Sequence, residues 1–186
     1  MPQTQINAYL ASKARVEKDV TFPKNFRELL TNAAKNYGDK PAVNFFEQGT
    51  GVSLSFSTLA SKVNQLADGL SQQGVVKGSH VAVMLSNRVE YPITWLALAT
   101  LGAVMIPVNT RYTAKELDYL INDSDTEFVV TEASFLAVFS QMQECPAHIT
   151  PDRHFVIDDV SRDYSDWQMI LNSGRVDFVP DWAVDS

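Results

Sequence analysis

The chain has 186 residues, 45% hydrophobic and 20% charged, a globular balance that argues against disorder and allows one sizeable domain. Fifteen basic against twenty-two acidic side chains leave a net charge of −7, a poor footprint for nucleic acid or anionic lipid. Cys145 is the only cysteine, which excludes an internal disulfide and a thiolate metal cluster and fits a reducing, cytoplasmic setting.

The opening run MPQTQINAYLASKARVEKDV lacks an apolar segment, so residues 1–20 are expected to be an extension and not a secretory signal. Phe26, Leu29, Leu30, Ala33, Ala34 and Tyr37 then recur at helical spacing, and Gly38 and Pro41 stop that helix. Ala42–Phe46 and Val52–Phe56 read as a β-hairpin joined by the Glu47–Gly51 turn. Leu59, Val63, Leu66 and Leu70 mark an amphipathic helix closed by Gly74. Val81–Leu85 is an apolar strand.

From Tyr91 to Thr110 there is no charge, a length that could span a bilayer as one helix. Against that, Pro107 inside such a helix would cost about 3 kcal/mol and Gly102 about 1 kcal/mol. The stretch divides better into a buried helix over Tyr91–Leu101, a stop at Gly102 and a core strand over Val104–Val108. Within that helix Trp95, Leu96 and Leu98 read as core packing. Thr113 and Glu116 form a capping box for a helix carrying Leu117, Leu120 and Ile121 on one face. Phe128–Val130 is the next strand, Ser134–Met142 a helix, Phe155–Ile157 a strand and Asp166–Asn172 a last helix ending at Gly174.

Strand and helix alternating with uniformly apolar strands predict an α/β fold: a largely parallel sheet with helices on both faces, preceded by a helix and a hairpin. Ligands of such sheets gather at the strands' C-terminal ends. Here those ends are Ser86-Asn87-Arg88, Asn109-Thr110-Arg111, Thr131-Glu132 and Asp158-Asp159.

The chemistry is sparse. No glycine-rich phosphate loop follows any strand, there is no G-x-S-x-G elbow, and the glycines mostly fall at helix ends and turns. His80, His148 and His154 are too scattered for a zinc site. Asp158, Asp159, Asp163 and Asp166 lack EF-hand spacing and read as a solvated loop with a helix cap. No catalytic residue and no metal ligand is assigned.

Three stretches in order nevertheless resemble the start of the adenylate-forming superfamily, in its acyl-CoA synthetase or acid–CoA ligase branch. They are LSFSTLASKVNQLADGL, GVVKGSHVAVMLSNRVEYPITWLALATLGAVMIPVN and NTRYTAKELDYLINDSDTEFVVTEAS. The VNTR context is similar to acid–CoA ligases of the carnitine/crotonobetaine and medium-chain types. Thr58 departs from the family's usual Glu, so a capping box begun by Ser55 loses its reciprocal half.

The resemblance implies a two-step reaction in the whole enzyme. A carboxylic acid reacts with ATP and Mg²⁺ to give an acyl-adenylate, and coenzyme A then displaces AMP. It also implies that Arg111, in the Asn-x-Arg stretch, contacts a phosphate of coenzyme A. The bland alternative for Arg111 is a surface bridge to Asp118 or a neighbour.

The family's phosphate loop is not in this sequence, so residues 21–186 are expected to be the front of a larger domain, inactive alone and without tight cofactor binding. A non-catalytic interaction domain is the rival reading, and an adenylation domain feeding a carrier protein a third. Self-association through surfaces that a whole enzyme would bury is a further expectation.

Overall fold

The computed structural model describes residues 3–8, 22–47, 50–158 and 163–183. The expected boundary at residues 20 and 21 and the Gln48-Gly49 hairpin tip lie outside them. After a short helical stretch at 3–8, helix α1 (Phe26–Tyr37) starts where the Asn25 side chain accepts from Glu28 N. Strands β1 (Pro41–Glu47) and β2 (Thr50–Ser55) pair antiparallel, with Glu47 opposite Thr50.

The second strand ends one residue earlier than its apolar run predicts. Ser55 Oγ accepts from Thr58 N and caps helix α2 (Phe56–Gln72), so Phe56 becomes helical and lies 5.4 Å from the Tyr37 ring. The expected apolar face is present: Leu59, Val63, Leu66 and Leu70 are all buried.

The rest is β3 (His80–Met84), α3 (Glu90–Leu101), β4 (Val104–Pro107), α4 (Ala114–Asp123), β5 (Phe128–Glu132), α5 (Leu136–Ser140), β6 (His154–Ile157), β7 (Ser165–Asp166) and α6 (Trp167–Ser173). The uncharged stretch is therefore broken as its Gly and Pro require: Gly102 takes φ 73° at the end of α3. No helix among the described residues is long and apolar enough to cross a membrane. Ahead of α5 the expected helix begins as a 3₁₀ turn over Ala133–Phe135.

All five strands β3 to β7 are parallel, in the order β4-β3-β5-β6-β7. Alternate side chains divide between two faces. Val81, Val83, Phe128, Val130, Phe155 and Ile157 meet α2, α3 and α6, while Ala82, Met84 and Val129 meet Leu117 and Ile121 of α4. Helices thus cover both faces, as the apolar strands require.

One glycine serves a purpose its sequence position did not suggest. Gly69 lies inside α2, where a glycine costs about 1 kcal/mol relative to alanine. A methyl group there would overlap the Ile170 carbonyl of α6. Beside it, buried Asp68 accepts from Arg175 N at 2.8 Å, Nε at 3.1 Å and Nη2 at 3.1 Å.

Candidate functional site

The chain runs from β3 outward to β4 and then returns to place β5 on the other side of β3. The topological switch therefore lies between β3 and β5, and a doubly wound sheet binds ligands in the crevice beyond such strand ends. In this protein charged side chains from the strand ends meet there. Arg88, just after β3, reaches Glu90 through Nε at 2.8 Å. Its Nη1 reaches Glu132 at 3.3 Å and Asp158 at 3.0 Å.

Glu132 also accepts from Ser86 Oγ at 2.8 Å and Ser134 Oγ at 2.7 Å. Burial alone would raise the Glu132 pKa, but the hydrogen bonds from Ser134, Ser86 and Arg88 outweigh it and hold the carboxyl below its ordinary value. Burial likewise works against the Arg88 charge, and its bonds to Glu90 and Asp158 prevail.

Three carboxylates around one guanidinium leave this spot net negative, which repels a triphosphate. A guanidinium also occupies the centre where a metal bound by those carboxylates would sit. The arrangement ties three strand ends together, and the ATP and Mg²⁺ implied by the resemblance find no fitting cradle in it. Sequence reasoning named Arg88 only as part of a strand end, because its partners Glu132 and Asp158 lie 44 and 70 positions away.

Arg111 is different. It lies exposed in the segment between β4 and α4. The Asn109 side chain accepts from its backbone N at 3.0 Å, and Asn109 O accepts from Tyr112 N, which shapes the turn. The guanidinium makes no ion pair among the described residues. The bridge to Asp118 is not formed, because the Asp118 carboxylate accepts from the backbone of Gln143 and Glu144, each at 3.1 Å.

The first turn of α4 also carries its own acceptor. Glu116 Oε2 takes hydrogen bonds from Thr113 N and Oγ1 at 2.7 Å, while Thr113 Oγ1 accepts from Glu116 N. Those bonds hold the Glu116 carboxyl below its usual pKa. An incoming phosphate would therefore meet the free fork of Arg111 and not bare helix amides. A free guanidinium suits a phosphate, which it can grip with two parallel N–H bonds.

The remaining expectations divide. Trp95 was expected in the core and is instead 46% exposed, its ring 6.0 Å from Phe26 of α1. The helix is apolar on all sides, so its composition could not mark which side faces out. Trp95, Tyr91, Met105 and Pro107 line a cleft of about 370 Å³ beside the open edge of β4.

Trp167 is buried and donates to Thr94 Oγ1 at 3.1 Å, and Trp182 donates to Leu101 O at 2.9 Å. Asp166 caps α6 through Met169 N, Asp158 pairs with Arg88, and Asp159 lies outside the described residues. His80 and His148 are bonded to the carbonyls of Ser124 and Thr126. His154 is buried elsewhere, on β6.

Comparison with known proteins gives this geometry a family. The model of the AMP-binding enzyme family matches residues 30–173. The crotonobetaine/carnitine–CoA ligase of Salmonella paratyphi A is 30% identical over 141 residues, covering 75% of this chain and 27% of that protein. The enzyme of the same name from Proteus mirabilis is 34% identical over 125 residues, 67% of this chain and 24% of that one.

Among solved structures, a long-chain-fatty-acid–CoA ligase from Archaeoglobus fulgidus superposes with a TM-score of 0.74 at 28% identity, covering 87% of this chain and 32% of that chain. The N-terminal domain of FACL13 from Mycobacterium tuberculosis gives 0.71 at 27% identity, with 83% and 37% covered. The chain thus spans about a quarter of the curated relatives' length. It belongs to the AMP-binding enzyme family.

Proposed function

We propose that residues 21–186 are the front portion of the AMP-binding domain of an acid–CoA ligase. In that reading the complete enzyme joins a carboxylic acid to ATP with Mg²⁺, releasing pyrophosphate, and coenzyme A then displaces AMP from the acyl-adenylate. A carboxylate is a poor acyl donor until its oxygen becomes part of a better leaving group, which adenylation provides. This segment contributes the sheet and the coenzyme A contact, with Arg111 gripping a phosphate of coenzyme A.

One observation carries the reading: beyond a strand end Arg111 is exposed and, among the described residues, free of ion pairs, in a chain that matches the family model over residues 30–173. The described residues supply no backbone cradle for a triphosphate, and in this reading the 186-residue chain alone forms no acyl-adenylate. Acid-dependent exchange of pyrophosphate into ATP tests this on the isolated chain. No exchange is expected, and exchange above background overturns the assignment of adenylation to other residues. In the complete enzyme, Arg111→Ala raises the KM for coenzyme A and leaves the exchange rate unchanged. An unchanged KM removes Arg111 from the site.

A non-catalytic docking domain is the second reading, favoured by the exposed Trp95 and the apolar cleft at the β4 edge. A complete protein that shows no pyrophosphate exchange with any carboxylic acid, yet loses a partner on Trp95→Ala, decides for it.

A further inference from the structure

His154 opens β6, and its register with Val129 turns the side chain to the face covered by α4 and α5. The residue is only 6% exposed, and Nε2 is buried with no hydrogen-bond partner among the described residues. Two rings meet it edge-on: Phe139 of α5 at 4.9 Å and Tyr164, just ahead of β7, at 5.1 Å.

The strand beyond it is short. β7 pairs with β6 at Phe155–Ser165 and Val156–Asp166, and Ser165 Oγ donates to Asp152 O at 3.1 Å. By contrast, α6 is fastened elsewhere, by Trp167 to Thr94 and by Arg175 to Asp68.

Several titratable groups lie on the neighbouring segments. Asp163 and Tyr164 precede β7, and Asp166 sits on it and caps α6. Asp152 and Arg153 form the turn into β6, and Arg153 lies over the Phe128 ring. Glu127, ahead of β5, accepts from His80 N, and His148, after α5, is bonded to Thr126 O. None of these accepts a hydrogen bond from Nε2.

We propose that His154 is an acid-sensitive latch: its neutral ring clamps Tyr164 and β7 to the sheet edge, and protonation releases residues 163–166 while α6 stays docked. An imidazolium carries two N–H donors, and the one on Nε2 would be buried without an acceptor. Burial accordingly pushes the His154 pKa down from 6.5 to about 4. The closed segment excludes the proton, whereas the opened one takes it near the ordinary value. Opening therefore becomes easier as pH falls below about 6.5, roughly tenfold at pH 5.5.

Hydrogen exchange of the full chain at pH 7.5 and 5.5, corrected for intrinsic rates, tests this. Protection of residues 163–166 is expected to fall about tenfold, while residues 117–121 of α4 are unaffected. His154→Phe keeps a ring in the clamp without a titrating group and is expected to abolish the fall. His154→Gln gives the same readout if the Phe variant does not fold. An equal fall in either variant overturns the latch, as does no fall in the native chain. A folded-state His154 imidazole that titrates near pH 6.5 by NMR also overturns it.

Discussion

Gly69 of α2 packs directly on the Ile170 carbonyl of α6, leaving no room for a side chain between the two helices. Gly174 makes the same kind of contact with the Gln65 carbonyl, so the pair of glycines sets how closely the last helix approaches. Gly69→Ala would gain about 1 kcal/mol of helix propensity. The backbone overlap outweighs that gain, since overpacking typically costs 1–3 kcal/mol and carbonyls yield less than side chains. Net destabilisation of about 2 kcal/mol is expected in urea titrations. A variant as stable as the native chain would show that α6 can shift freely.

Asp68 carries the second fastening of α6. The hydrogen bond from the Arg175 side chain, ahead of that from its backbone, holds the carboxyl below the ordinary 3.8 despite burial. A depressed folded-state pKa gives stability that is complete above the unfolded value and lost as pH falls through the folded one. The Asp68 contribution is thus complete at neutral pH and declines progressively as pH falls below about 4. Asp68→Ala leaves the Arg175 amide unsatisfied and is expected to cost about 2 kcal/mol at pH 7. The difference between variant and native chain should shrink as pH approaches 3, a loss that urea midpoints across pH would detect.

Arg88 holds three strand ends at once, so its removal leaves partly buried Glu132 bonded to Ser86 and Ser134 but without its balancing positive charge. Arg88→Met is expected to destabilise by about 2 kcal/mol, and the loss should persist in 0.5 M NaCl because the Glu132 side chain is 12% exposed. Asp158 separates geometry from charge. It takes φ 62° and its side chain is 70% exposed. Asp158→Gly trades a weak exposed ion pair for relief of about 1 kcal/mol of backbone strain and should be near neutral. Asp158→Val keeps the strain and loses the pair, so it should fall measurably below the glycine variant in thermal melts.

The Arg111 side chain is exposed and makes no ion pair among the described residues. Arg111→Ala is expected to alter stability by no more than about 0.5 kcal/mol. A weakened affinity for coenzyme A in the complete enzyme then reports the site itself and not unfolding. A large loss in the urea midpoint would assign Arg111 a structural role.

The sheet was legible in the sequence because its strands are uniformly apolar and each helix between them carries a stop or a cap, as at Gly102 and Thr113. The two-residue β7 was missed because so short a strand has no periodicity to read. Trp95 was misplaced because α3 is apolar all round, and only the position of β4 at the sheet edge decides which side faces out. The Arg88 cluster was invisible for another reason: its acidic partners come together only once β3, β5 and β6 are aligned. Arg111 was found through resemblance, and its freedom from Asp118 could be learned only from the fold.

The junction between α2 and α6 also has a consequence for biosynthesis. Arg175 emerges from the ribosome 107 positions after the Asp68 it will neutralise. At roughly 5–20 residues per second, α2 waits about 5–20 s with its glycine notch and lone carboxylate uncovered. Over that interval the nascent chain presents an unfinished helix surface to chaperones and to neighbouring polypeptides, and arrival of the last helix seals it.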